Sequence, residues 1–434
     1  MGLGLDLLYG AGGAISSPLW GYRLLRTGKW RTDWQARLGK CAPISHDRPT
    51  LLIHAVSVGE VNLIRLLVDE LHRRTHGAWR IVIATTTDTG QARAQQLFEP
   101  VHTVVRYPLD FTRSVRRFLD AVRPDVVALV ELEVWPNFVG ECARRGVPVG
   151  VINGRLSARS FRGYRKIAAL LRPTFARLAA AAVQTDDYAQ RFIHLGVPAN
   201  AVMVLDTMKW DTAQLAEPQA VPGREELAAA MGIDRARPLI VAGSTAPGEE
   251  RLLIDTSPKD AQLMLVPRKP ERFDEVAALD RDMIRRTCHP DGAAWPVAPR
   301  SQDRRLFLLD TMGELRKAYS LADVCLVGRS FLGLYGSDPI ESIALGKPTI
   351  IGTHHSDFQD TVDALRQGGG IEVSDEPGAA AAALLADTPR AQRLAEGGRR
   401  VIAARQGATR RHADLLEQLM AAVDQPLAAS RSGD

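Results

Sequence analysis

Residues 50–60 read TLLIHAVSVGE. The first seven positions are a nearly continuous apolar run, and Ser57, Gly59 and Glu60 follow at once. An unbroken apolar run, rather than an alternating one, belongs to a strand covered by helices on both faces, the environment of a parallel sheet. Ser57-x-x-Glu60 has the spacing of a capping box, so a helix opens near residue 58. Strand, short turn and helix make the repeating half of a β-α-β unit.

The pattern recurs on both sides of this stretch. RIVIATT (80–86), 101–108, DVVALVELE (125–133), VPVGVIN (147–153), 180–184 and 202–205 read as strands, with helical spacing over 60–74 and 112–122. A second series begins at 238 with PLIVAGS and continues through 261–268, 305–310, 323–328, 347–352 and 369–373. Helical segments at 248–254, 312–320 and 339–345 intervene, and 375–405 is Ala-rich and helical. Pro-rich, patternless 215–225 (LAEPQAVPGRE) is the linker. The predicted fold is α/β: two doubly wound, Rossmann-like domains, 36–214 and 226–424, facing each other across a cleft.

Composition agrees with this reading. The 434 residues include 45% hydrophobic and 24% charged residues, which excludes a disordered, collagenous or multi-span membrane chain. A net charge of +5 is too small to announce a nucleic-acid partner, and none is expected. Four Cys without a C-x-x-C pair fit a reducing compartment. Residues 1–35 stand apart. An apolar stretch carrying only Asp6 is followed by Arg23, Arg26, Lys29 and Arg31, the reverse of a signal peptide. The segment is expected to lie on a membrane, with Trp20 and Tyr22 at headgroup depth; a first helix buried in its own domain is the alternative.

Dinucleotide, P-loop, zincin and hydrolase motifs are absent. Strand ends carry the chemistry instead. Glu60 is read both as a helix cap and as a general base at a cleft mouth. Glu131 and Glu133, in VELEVWP (130–136), end an apolar strand on one face of the sheet. In GSDPIESIALGKP (336–348), Asp338 is expected at N-cap, Pro339 at N1 and Glu341 at N3. Thr311-x-x-Glu314 repeats the arrangement, so two anion-ready helix starts suggest a nucleotide phosphate. Arg268 ends a strand in LVPRKPERF (265–273) and could pair with that phosphate. The basic run NGRLSARSFRGYRK (153–166), with Arg155, Arg159 and Arg162, is either a solvated helix face or a site for an anionic acceptor. No His spacing suits a metal, and none is expected.

Taken together, LDLLY, HAVSVGE, TTTDTG, ELEVWPN, INGRLSARSFRGY, AGSTAPGEE, LVPRKPERF, DTMGELRKAYSLADV and the DPIES helix start resemble the 3-deoxy-D-manno-octulosonic acid (Kdo) transferases, glycosyltransferase family 30, in the family's order. The resemblance implies a GT-B fold. It implies inverting transfer of Kdo from CMP-Kdo to a lipid A precursor in lipopolysaccharide core biosynthesis. The expected place is the cytoplasmic side of the cell inner membrane, with no cofactor and no essential metal. It assigns the general base to Glu60 and transition-state stabilisation to Glu131 and Lys209. CMP contacts fall at Pro267, Arg268, Met312, Gly313, Glu314, Asp338, Pro339, Ile340 and Glu341. Departures lie in the donor half. Ser337 and Asp338 replace the family's His-Asn, and Gly328-Arg329-Ser330 replaces Gly-Gly-Ser, adding a cation. They bear on the sugar nucleotide more than on the reaction class. A nucleotide-sugar epimerase and a non-catalytic nucleotide- or lipid-binding paralogue are the alternatives.

Overall fold

The computed structural model describes residues 4–7, 9–11, 33–288 and 305–424. The chain divides into two units, Met1–Thr212 with Gly407–Asp434, and Ala213–Gln406. In the first unit, β1 (Thr50–His54), β2 (Arg80–Thr85), β3 (Thr103–Arg106), β4 (Val126–Val130), β5 (Val149–Gly154), β6 (Ala180–Val183) and β7 (Val202–Val204) form one sheet ordered β3-β2-β1-β4-β5-β6-β7. In the second, β8 (Leu239–Thr245), β9 (Gln262–Pro267), β10 (Ile284–Arg285), β11 (Leu306–Leu308), β12 (Val324–Val327), β13 (Thr349–Ile351) and β14 (Glu372–Val373) are ordered β10-β11-β9-β8-β12-β13-β14. The short edge strand β10 was not legible in the sequence. All pairings are parallel, with Leu51 opposite both Ile81 and Val126 and Val241 opposite both Met264 and Cys325.

Every residue of β1 and β4 is buried, as their unbroken apolar sequences require. Helices cover both faces. Val115, Phe118 and Phe138 pack on one side of the first sheet, and Ile64, Leu67 and Leu71 on the other. Strand order reverses between β1 and β4 and again between β8 and β12. At such a switch point the flanking helices diverge to opposite faces and leave a crevice at the carboxyl ends of the strands. Glu60, Glu131 and Glu133 follow the first pair of strands; in the second pair Ser244 lies at the end of β8 and Arg329 follows β12.

The described boundaries differ from the expected 226–424 at both ends: the second unit begins at Ala213, with Val221 of the expected linker buried in its core, and it ends at Gln406. Helix Ala408–Asp424 returns to the first unit. His412 is fully buried there and its Nε2 accepts the Asn153 N–H at 3.0 Å. Asp211 accepts the N–H groups of Gly407 and Thr409, each at 2.6 Å. Leu416 and Met420 complete the core around Val130 and Ile152. Sequence order does not reveal which sheet a terminal amphipathic helix covers.

Trp20, Tyr22, Arg23, Arg26, Lys29 and Arg31 lie outside the described residues. Residues 4–7 and 9–11 are helical and pack on the first unit. Asp6 accepts the Thr112 N–H and the Asn137 amide, each at 3.0 Å. It thereby caps helix Thr112–Val122, whose own N-cap residue, Phe111, offers no side-chain acceptor. Tyr9 donates to Asp110 at 3.1 Å and meets the Phe111 ring edge-on. No helix among the described residues is long and apolar enough to cross a membrane.

Leu416 is fully buried against the first sheet. Leu416→Ala is expected to lower the stability of the first unit by about 2–5 kcal/mol in denaturant unfolding. A change below about 0.5 kcal/mol would mean the helix contributes little to that core.

Candidate functional site

Glu60 stands in the first turn of helix Val58–Leu63 and turns back on the helix N-terminus. Its carboxylate accepts the Val56 N–H at 2.9 Å and the Ser57 hydroxyl at 2.9 Å, while Ser57 Oγ accepts the Glu60 N–H at 3.4 Å. The capping box is therefore formed. It does not keep the group acidic. Burial pushes the Glu60 carboxyl up to about 7, and the charges of Glu131 and Glu133 add to the shift, against the two hydrogen bonds. A half-buried carboxyl poised near neutrality is suited to accept a proton.

Both neighbours come from the β4 turn. The strand ends at Val130, before either acid, so the alternation expected to align Glu131 with Glu133 does not operate. Glu131 instead has φ 59. A left-handed non-glycine residue costs about 1–2 kcal/mol and is held by its surroundings, here by donation of its N–H to Ile152 O at 3.0 Å. Glu133 accepts the Trp135 indole N–H at 2.8 Å and lies 3.8 Å from Nε2 of His54. Burial pushes its carboxyl up, but His54 and the indole outweigh this and hold it below the ordinary range. Two neighbouring carboxylates driven apart in this way are equipped for different tasks.

His54 was quoted in the sequence but not singled out. It is fully buried at the end of β1, bonded through Nδ1 to Ala84 O at 3.0 Å and stacked on Tyr107 at 3.6 Å. Its signal was a histidine on the strand that leads to Glu60. It braces the Glu133 turn. Asn153 was also missed. At φ 51 and fully buried, it accepts the Met208 N–H at 3.0 Å through Oδ1. This bond carries the 206–209 turn from the edge strand β7 back to the end of β5, and Lys209 with it.

Arg159 and Arg162 are exposed on helix Ala158–Lys166, and Arg155 is half-buried ahead of it. Beyond the helix, Ile167 and Leu170 are each 50% exposed. They line an apolar cavity of about 340 Å³ together with Leu5, Tyr9, Trp135 and Tyr164, and Glu133 lies in its wall.

In the second unit the expected helix starts are altered. Helix Ile340–Ala344 has Pro339, not Asp338, as its half-in residue, and Asp338 accepts the Ile340 N–H at 3.0 Å. Helix Leu315–Leu321 opens at Glu314, so Thr311 is not its cap. Thr311 donates to the Glu314 carboxylate at 2.6 Å, and Arg286 and Lys317 pair with it. A carboxylate already occupies that helix start, and it is not an open anion site. Met312 is exposed and Gly313 has φ 85. Burial raises the Glu341 carboxyl above its ordinary range. Pro267 ends β9, and Arg268 donates its N–H to Thr245 O at 3.1 Å. Among the described residues no group of three His, Cys, Asp or Glu is arranged to hold a metal ion.

Comparison with known proteins sets these positions in context. Residues 32–212 match the family model described as 3-deoxy-D-manno-octulosonic-acid transferase (kdotransferase). A 3-deoxy-D-manno-octulosonic acid transferase of Bordetella pertussis is 34% identical over 96% of this chain and 99% of its own length. One from Haemophilus influenzae is 31% identical over 85% of this chain and 86% of its own. The structure of Anabaena HepE in complex with UDP superposes with a TM-score of 0.57, covering 86% of this chain and 100% of its own at 13% identity, a likeness of fold.

The raised Glu60 carboxyl has a consequence for stability. The folded chain holds its proton up to about pH 7, the unfolded chain only to the ordinary 4.5. Across that window the native state binds more protons, so stability falls as pH rises. Glu60→Gln removes this loss and should gain about 2–3 kcal/mol relative to wild type between about pH 4 and about pH 8. Denaturant midpoints at both pH values check it, and parallel wild-type and variant values would contradict it.

Proposed function

The chain belongs to the 3-deoxy-D-manno-octulosonic acid (Kdo) transferase family, and from that premise we propose that it moves Kdo from CMP-Kdo to a lipid A precursor, with inversion, in lipopolysaccharide core biosynthesis. The observation that carries the mechanism is the Glu60 carboxyl, half-buried at the β1–β4 switch point and pushed up to about 7. An acceptor hydroxyl needs a base that is ionised at working pH yet still basic, and an ordinary surface glutamate meets only the first condition.

Glu60 accepts the proton of the acceptor sugar hydroxyl. The hydroxyl oxygen forms its bond to the anomeric carbon of Kdo as the bond from that carbon to the phosphate oxygen breaks, and CMP departs with the electron pair. Positive charge grows on the anomeric carbon in passing. Glu131 supplies a fixed negative charge to it, with its backbone locked at φ 59 so that no reorganisation is needed during the reaction. Lys209, carried inward by Asn153, balances charge beside it. Arg268 meets the departing phosphate. The desolvated Glu341 carboxyl accepts from ribose hydroxyls, and Pro267, Met312, Gly313, Glu314, Asp338, Pro339 and Ile340 complete the surface for CMP.

The acceptor reading rests on the first unit. Arg155, Arg159 and Arg162 suit phosphates on a lipid-linked disaccharide, and the apolar cavity beside Ile167 and Leu170 suits its acyl chains. An exposed apolar patch bordered by arginines is also the composition of a surface that meets anionic lipid. Together with the apolar and then basic sequence of 1–35, this supports work on the cytoplasmic side of the inner membrane.

Transfer should rise with pH through about 7, as Glu60 loses its proton, and then level. Glu60→Gln should lower kcat by about 10²–10⁴ and remove that rise. A near-normal rate, or an unchanged pH profile, would reject the base. Leu170→Asp should raise KM for the acylated acceptor about tenfold and leave that for a deacylated acceptor unchanged. Equal effects on both would detach the cavity from the acyl chains.

A further inference from the structure

The Arg329 position departs from the family pattern, and its surroundings in the second unit are specific. Strands β9 and β12 flank β8, and the first residues beyond them are Arg268 and Gly328-Arg329. Arg268 donates its N–H to Thr245 O at 3.1 Å, and Gly328 donates to Gly243 O at 2.8 Å. The two arginines thus leave the sheet at one level on opposite sides of Ser244–Thr245, about 10 Å apart by strand spacing. Ser244 between them is itself left-handed, at φ 56. Gly328 is needed there: a Cβ would lie 2.7 Å from Thr245 Cα. The side on which Arg329 leaves is the β8–β12 crevice, the switch point of this sheet.

The backbone at this crevice is already spent on a protein carboxylate. Glu249, fully buried, accepts four N–H groups: Arg329 at 2.7 Å, Ser330 and Phe331 at 2.9 Å each, and Ala246 at 3.0 Å. In many doubly wound folds such N–H groups are open to a phosphate. Here the negative charge they would attract is built in. Arg329 is also held from its other side, its carbonyl accepting the Gly336 N–H at 2.8 Å. Pinned at both ends with φ 60, it keeps a left-handed conformation that a non-glycine residue adopts only at a cost. Neither the Arg268 nor the Arg329 guanidinium has a carboxylate within ion-pair distance among the described residues. Partial desolvation and the like charge of Arg329 both pull the Arg268 guanidinium below its ordinary range. Ser337, one residue past Gly336, is 2% exposed and its hydroxyl has no hydrogen-bond partner among the described residues.

Two like charges flanking the end of β8, beside a crevice whose backbone donors are occupied, are set to receive anions from elsewhere. A CMP-linked ulosonic acid carries two, the phosphodiester and the carboxylate of the sugar. We propose that Arg329 binds the sugar carboxylate of the donor while Arg268 takes the phosphate, so that Arg329 reads the acid character of the transferred sugar. The assignment rests on the CMP-Kdo reading above and extends it to a second anion subsite. It also accounts for a left-handed arginine where glycine would be free of strain.

The test compares a ligand that has the phosphate only with one that has both anions. The full-length protein and the variants R329G and R268A are titrated calorimetrically with CMP and assayed for transfer from CMP-Kdo. R329G places an unstrained residue at this φ and should fold at least as stably as wild type. It should leave the Kd for CMP within about twofold and raise KM for CMP-Kdo about 10- to 100-fold, the loss of one charge-assisted hydrogen-bonded contact. R268A should weaken both ligands. An unchanged KM in R329G, or a CMP affinity that falls as far as the KM rises, overturns the carboxylate assignment. A wild-type protein that binds CMP but does not use CMP-Kdo sinks the donor reading itself, and this inference with it.

Discussion

A carboxylate bent back onto the start of its own helix is the constraint around which the first unit is arranged. The bonds from Val56 and Ser57 fix where Glu60 points, and burial then decides how it titrates. Capping and catalysis are often taken as rival explanations of an acid in a first turn. Here they act in sequence. The cap holds the group at a crevice where water is scarce, and scarcity of water raises its affinity for a proton more than two hydrogen bonds lower it. The nearby charges of Glu131 and Glu133 push in the same direction.

The β4 turn shows the complementary arrangement. His54 and Trp135 hold Glu133 as an anion, while Glu131 is fixed by backbone geometry. Three acids just beyond the adjacent strands β1 and β4 thus receive different environments. The costs are local, a left-handed residue and a buried histidine, and the central strands β1 and β4 beneath them, buried at every residue, can carry both.

Much of this was legible in the sequence, for identifiable reasons. Runs such as DVVALV and LIVAGS form interior strands, whereas the Pro-rich 215–225 read as a linker lies within the second unit, because Val221 packs into its core and helix Arg224–Met231 begins inside the stretch. Glu60 could be located because capping boxes are local in sequence. What escaped depends on contacts between distant residues. His54 to Glu133 spans two strands, and Asn153 to Met208 spans two further β-α steps. The helix 408–424 returns to a sheet left two hundred residues earlier, and no periodicity encodes that. On the donor side, Thr311-x-x-Glu314 has cap spacing but serves an ion-pair cluster, because Arg286 arrives from another loop. Glu249 shows the same limit: nothing in AGSTAPGEE sets it apart, and only the fold reveals the four N–H groups around it.

The claim on which the rest depends is that Glu60 is a desolvated carboxyl that titrates near neutrality. The direct measurement is carboxyl carbon NMR of glutamate-labelled protein across the pH range, with the Glu60 resonance assigned by its absence in Glu60→Gln. The account predicts a midpoint near 7 for that resonance, with Glu133 titrating below the usual glutamate range. A Glu60 midpoint at the ordinary glutamate value, about 4.5, would contradict it.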